Sequence, residues 1–163
     1  MPKGTLLLIG PQAMDMASLK SEPNVVYLGP IPYSELPEYA SAFDVAIMPW
    51  LKNEWMEAAS PIKLKEYLAL GRPVVSIRFP ELKPYESLIY AADSHEEFLC
   101  SLDAALGEDD PSLLVERRKA VANSSWDTLA EKVARLFSFP ESPRSIDWIA
   151  SHSKENLGSS AYG

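Results

Sequence analysis

Along this chain, short runs of β-branched and aliphatic residues alternate with stretches in which apolar positions return every three or four residues. The runs predict strands over residues 6–9, 25–28, 45–48, 73–77 and 88–91. The first, Leu6-Leu7-Leu8-Ile9, stops at Gly10-Pro11, and the second at Gly29-Pro30-Ile31-Pro32. Helical spacing predicts a short helix within residues 12–20 and another opening at Ser34, with Leu36, Tyr39, Ala40 and Phe43 on one face. A third opens at Ser60-Pro61 and ends at Gly71. Serine suits the cap, proline the first helical position and glycine the left-handed residue after the last turn. Ser94-His95-Glu96-Glu97 is a capping box for a helix to about Leu106. Helices over residues 111–122 and 126–138 follow, the second with Ser125 or Asp127 as its cap.

Helices alternating with strands that are apolar throughout indicate a parallel sheet covered on both faces. The expected architecture is therefore α/β, a Rossmann-like doubly wound sheet occupying residues 1–138. Residues 139–163 read as a polar tail in which Ile146, Trp148 and Ile149 suggest a small docking helix, with disorder expected over the last ten residues.

Composition then narrows the function. A chain of 163 residues that is 47% apolar suits one compact domain. No apolar run approaches the roughly 20 residues of a membrane-spanning helix. The apolar stretch near the start is too short for a signal peptide. The lone Cys100 fits a reducing cytoplasm. A net charge of −8 opposes nucleic-acid binding, whereas a small anion feels only the charges of its own pocket. The glycine patterns of dinucleotide and P-loop sites are absent, as is any D-x-D pair. His95 and His152, with one cysteine, supply neither a zinc set nor a catalytic triad.

The informative stretch runs from Ser60 to Ser76. A helix amino end carries partial positive charge and unpaired N–H groups, so cations there cost roughly 0.3–1 kcal/mol. Lys63 and Lys65 nevertheless occupy its first two turns. An anion bound at the helix mouth would rationalise them, with amides, dipole and lysine converging on it. Glu66, three residues after Lys63, lies on the same ridge, where a carboxylate can accept hydrogen bonds from vicinal ribose hydroxyls. A solvated Lys63–Glu66 surface pair, worth a few tenths of a kcal/mol, is the competing reading.

Ser60-Pro61-x-Lys63-x-x-Glu66-Tyr67-Leu68-Ala69-x-Gly71-x-Pro73-Val74-Val75 resembles the donor-binding motif of GT4-like retaining glycosyltransferases, in the C-terminal Rossmann-like domain of their GT-B fold. Leu7-Leu8-Ile9-Gly10-Pro11, Asn24-Val25-Val26-Tyr27-Leu28-Gly29, Leu36-Pro37 and the run from Phe43 to Pro49 resemble neighbouring elements of that domain. Glu97-Phe98 and Ser125-Trp126-Asp127 resemble its closing helices, so the likeness covers roughly residues 5–138. It implies that Glu66 holds the nucleotide ribose and that Ser60, Pro61, Ile62 and Lys63 face the diphosphate and donor sugar. Gly29, Pro30 and Ile31 would flank the nucleobase. The implied partner is a UDP- or GDP-type nucleotide sugar, with no cofactor and no metal, in a cytoplasmic enzyme of polysaccharide biosynthesis. The alternative is a non-catalytic Rossmann-like interaction module, such as a homodimer.

Two departures from the family pattern stand out. A second glutamate, eight residues before the ribose-binding one, is Ala58 here, with Glu57 and Glu54 nearby as substitutes. By the same resemblance the chain would start after the family's first strand, without the N-terminal acceptor-binding domain. The absent strand would lie between residues 6–9 and 45–48. Three arrangements are expected: direct pairing of those strands, filling by another segment, or completion by a neighbouring chain. Among other features, packing is preferred over ligand stacking for Trp50 and Trp55, and Arg72 reads as a helix-end cation. Lys52 and Glu54 are expected in solvent. Trp126, Leu129, Val133 and Leu136 form an apolar face expected in the core. Tyr33, beside the base-side loop, is left open.

Overall fold

The computed structural model describes residues 4–136. It contains two parallel sheets. Strands β3 (Ala46–Met48), β4 (Val74–Ile77) and β5 (Tyr90–Ala92) form one, in the order β3-β4-β5. Strands β1 (Leu6–Ile9) and β2 (Val25–Gly29) form the other.

The three-stranded sheet is covered on both faces because side chains alternate across a strand. Ala46, Met48 and Val74 point to a core shared with Leu64 and Leu68 of α4 (Ile62–Leu70) and Val121 of α6 (Pro111–Val121). Val75, Ile77 and Ala92 point the other way, to Phe98 and Ala105 of α5 (His95–Leu106). Burying Leu64 and Leu68 completely contributes about 1.5–3 kcal/mol each. The two-stranded sheet has less cover. Helix α1 (Ala17–Lys20) packs on β2, yet all four β1 residues are only half-buried, and Val26 and Leu28 are each 43% exposed. Of the three expected arrangements, direct pairing of β1 with β3 is not found, and no described segment lies between them in either sheet.

Most expected elements are present, with shifted ends. The first helix is confined to Ala17–Lys20, and α2 spans Leu36–Ser41 without a side-chain cap, so Ser34 does not play that role. The loop after β3 folds into α3 (Glu54–Glu57), which the sequence pattern did not predict; Asn53 caps it by accepting from the Met56 amide. Strand β5 begins two residues late, after a turn in which the Leu88 amide donates to the Tyr85 carbonyl at 2.8 Å. A 3₁₀ segment (Pro80–Tyr85) connects β4 to it. Ser94 caps α5 as expected, while Glu97 accepts from the Asp93 amide, one residue earlier than in a standard capping box.

The chain divides into two compact units, Met1–Ala122 and Asn123–Gly163. The described part of the second is α7 (Trp126–Leu136), whose Thr128 amide is capped by the Ser125 hydroxyl. Trp126, Leu129, Val133 and Leu136 share one face of it, as the amphipathic spacing predicted. The docking helix and disordered end expected beyond residue 138 lie outside the described residues.

The carboxyl end of α4 is fixed by side chains from α6. Gly71 closes the helix in the left-handed region at φ 78°, and an added Cβ would meet Leu114 at 2.7 Å. Arg117 donates to the carbonyls of Leu88 and Gly71, and Arg118 to that of Leu70. Arg117 is 1% exposed and binds Glu108 through both nitrogens of its fork. These bonds and the guanidinium charge hold the Glu108 carboxyl below the ordinary glutamate value, against its own partial burial. A carboxyl that protonates less readily when folded contributes stability above its unfolded value of about 4.3, and loses it as pH falls below that. Glu108→Gln leaves Arg117 unneutralised and should cost about 3 kcal/mol at neutral pH, the scale of a broken buried pair. In urea unfolding the gap from wild type should narrow below about pH 4. A gap equal at both pH values would contradict the ion-pair account.

Candidate functional site

The parallel strands place one set of loops at their carboxyl edge, where open α/β sheets bind ligands. Helix α4 returns from that edge, so its amino end opens there. Ser60 does not cap it as the sequence suggested. The cap position is Pro61, in extended backbone with no side-chain bond, and the Ser60 hydroxyl instead donates to Glu81 Oε1 at 3.0 Å. Leu64 N–H turns back to the Pro61 carbonyl at 3.2 Å. Among the described residues, no acceptor serves the amides of Ile62 and Lys63, and Ile62 itself is 46% exposed. The helix mouth therefore presents free donors and the positive end of its dipole.

The opposite face of α4 from Leu64 and Leu68 carries the charges. Lys63 Nζ donates to Glu66 Oε2 at 2.7 Å, with Lys63 46% and Glu66 26% exposed. Partial burial acts to lower the Lys63 pKa, but the bond and charge of Glu66 outweigh it and hold the ammonium above its ordinary value. Lys63 is thus cationic at neutral pH. The other oxygen, Oε1, accepts from the Tyr33 hydroxyl at 2.9 Å, across 33 residues of sequence. That bond and the Glu66 charge raise the Tyr33 pKa, so its hydroxyl remains a donor. Tyr67, on the same helix, packs against the core, and burial pushes its hydroxyl up as well.

The loop after β2 reaches the same region through Tyr33. Gly29 has φ 74°, a conformation that other residues adopt at a cost, and its carbonyl accepts from the Gly10 amide at 2.9 Å. Ile31 is half-buried beside it. The structure thus links the loop from Gly29 to Tyr33 with Glu66 and Lys63, while Ser60, Pro61 and Ile62 form the adjoining helix mouth. Sequence reasoning missed Glu81, which joins that mouth from the segment after β4. Its partner Ser60 lies 21 residues away, and no local spacing signals the contact. Glu54 and Glu57 are exposed on α3.

Other candidates resolve as structure. Trp50 stacks on Phe79, ring centres 5.7 Å apart, and Arg72 donates to the Ser41 carbonyl at the end of α2, a helix-end role on a different helix from the one expected. Trp55 is 82% exposed, so packing does not hold it. Lys52 is half-exposed but paired, donating to Asp93, which also takes Arg78; the two cations hold that carboxyl below its usual range. Two open hollows lie at the amino ends of β3 and β4, with Asp44, Asp103, Asp109 and Asp110 on their walls beside a single cation, Arg72; this excess of carboxylates disfavours a phosphate.

Comparison with known proteins identifies the family of the chain. The family described as "Glycosyl transferases group 1" matches residues 2–107. A Bacillus subtilis (strain 168) protein named "Putative teichuronic acid biosynthesis glycosyltransferase TuaH" is 30% identical over 143 residues. That match covers 82% of this chain and 36% of the relative, so the chain spans about a third of the relative's length. Among the described residues, no helix is long and apolar enough to cross a membrane.

An exposed i,i+3 pair contributes little to folding, on the order of 0.2–0.5 kcal/mol. Lys63→Met should therefore leave the urea-unfolding free energy within about 0.5 kcal/mol of wild type. A loss above roughly 1.5 kcal/mol, beyond what exposed pairs supply, would make the pair a structural element rather than a free binding surface.

Proposed function

Because the chain belongs to the group 1 glycosyl transferases, we propose that it supplies the donor side of sugar transfer, binding a nucleoside diphosphate sugar at the mouth of α4. The observation that carries this reading is the free helix mouth flanked by the Lys63–Glu66 pair. The diphosphate would take the amides of Ile62 and Lys63 and the Lys63 ammonium. Glu66, with acceptor sites left beyond those used by Lys63 and Tyr33, would accept the two ribose hydroxyls. The base would lie towards Gly29, Pro30 and Ile31, and the transferred sugar towards Ser60 and Glu81.

In this reading catalysis is leaving-group stabilisation. As the sugar–oxygen bond breaks, negative charge grows on the nucleoside diphosphate, where the helix dipole and Lys63 oppose it without reorganising. A fixed cationic site of this kind does for the leaving group what a metal ion does elsewhere. The chain spans about a third of the relative's length, so the acceptor and the groups that handle its proton would come from a further domain, and the 163-residue chain by itself should bind nucleotide without transferring sugar. UDP and GDP are the candidate nucleotides, in the cytoplasm, with a glycan or lipid-linked acceptor.

Isothermal titration with UDP and GDP tests the assignment. Glu66→Ala should weaken the preferred nucleotide by about tenfold or more, the cost of losing charge-assisted bonds to two hydroxyls. Equal affinity in the two proteins would remove Glu66 from the ribose role.

A further inference from the structure

Tyr33 is 71% exposed, in a turn where the Glu35 amide bonds the Pro32 carbonyl at 2.9 Å and the Leu36 amide bonds the Tyr33 carbonyl at 3.3 Å. Its ring belongs to neither core cluster. A large aromatic face is thus left open to water at the carboxyl edge of the sheets, held there by one hydroxyl bond to Glu66.

The order of groups around Glu66 gives this ring a direction. One carboxylate oxygen is taken by Lys63, on the side of the helix mouth, and the other by Tyr33, from the loop after β2. A nucleoside diphosphate has the same order: phosphates, then a ribose diol, then a base. If the phosphates meet Lys63 and the diol meets Glu66, the base projects past the oxygen that Tyr33 holds. Stacking on an exposed ring suits any base, because every base offers a π-face.

We propose that Tyr33 is the aromatic platform on which the nucleobase of the donor stacks, with its hydroxyl bond to Glu66 aligning the ring beside the ribose. This rests on the donor-site reading given above. It adds a base-recognising residue that the motif around Glu66 does not contain. The platform is sequence-tolerant by itself, so any preference between pyrimidine and purine comes from the edge contacts of the neighbouring Gly29–Ile31 backbone.

The test is titration of the full 163-residue chain with UDP, GDP and inorganic pyrophosphate, for wild type, Tyr33→Phe, Tyr33→Ala and Glu66→Ala. Tyr33→Ala should weaken the preferred nucleotide on the order of tenfold, within the range of base–aromatic stacking, and leave pyrophosphate within about twofold. Tyr33→Phe keeps the ring and should stay within about threefold for all ligands, since it loses only one exposed hydrogen bond. Tyr33→Ala binding the nucleotides as wild type does would overturn the proposal. So would an equal loss for pyrophosphate, which marks a general disturbance of the mouth. A loss confined to nucleotides in Tyr33→Ala, with none in Glu66→Ala, keeps the platform and removes the ribose role of Glu66. Wild type that binds no nucleotide at all overturns both readings.

Discussion

An uncapped helix mouth is the constraint on which the rest of this molecule turns. In α3, α5, α6 and α7 a polar side chain accepts from the first turn: Asn53, Ser94, Asp110 and Ser125. In α4 the serine that could do so is drawn away to Glu81, and proline stands at the cap. Orphan amides cost free energy unless water or a ligand satisfies them. The sequence then adds a lysine to an already positive end. Both features oppose helix stability, and both favour an anion.

Such a mouth is useful only if it is held still, and the packing provides that. Leu64 and Leu68 seat α4 on the three-stranded sheet. Gly71 ends it where Leu114 leaves no space for a side chain, and two arginines from α6 take its last carbonyls. The side chains that fix the helix end therefore sit at the carboxyl end of α4, and the exposed donors remain at the other. Carbonyl contacts at one end and free amides at the other are thus separated along one nine-residue helix.

Much of this was legible in the sequence, for identifiable reasons. The runs at Leu6–Ile9 and Val74–Ile77 are too short for helices and too apolar for loops, so they read as strands. Gly71 was legible because a single physical requirement, a positive φ, selects glycine. Long-range pairings were not legible. Ser60 looks like a cap until Glu81 is brought to it, and Tyr33 has no assignable role until its hydroxyl meets Glu66. The open side of β2 fails differently: periodicity reports which residues favour burial, yet Val26 and Leu28 each remain 43% exposed.

The central claim is that the α4 mouth takes the diphosphate of the donor. Amide resonances followed by NMR during titration with UDP or GDP test it most directly. The account predicts that the largest changes fall on the amides of Ile62 and Lys63, with smaller ones at Glu66 and along Gly29–Tyr33. Saturable binding that leaves those two amides unmoved, with changes concentrated elsewhere, would contradict it.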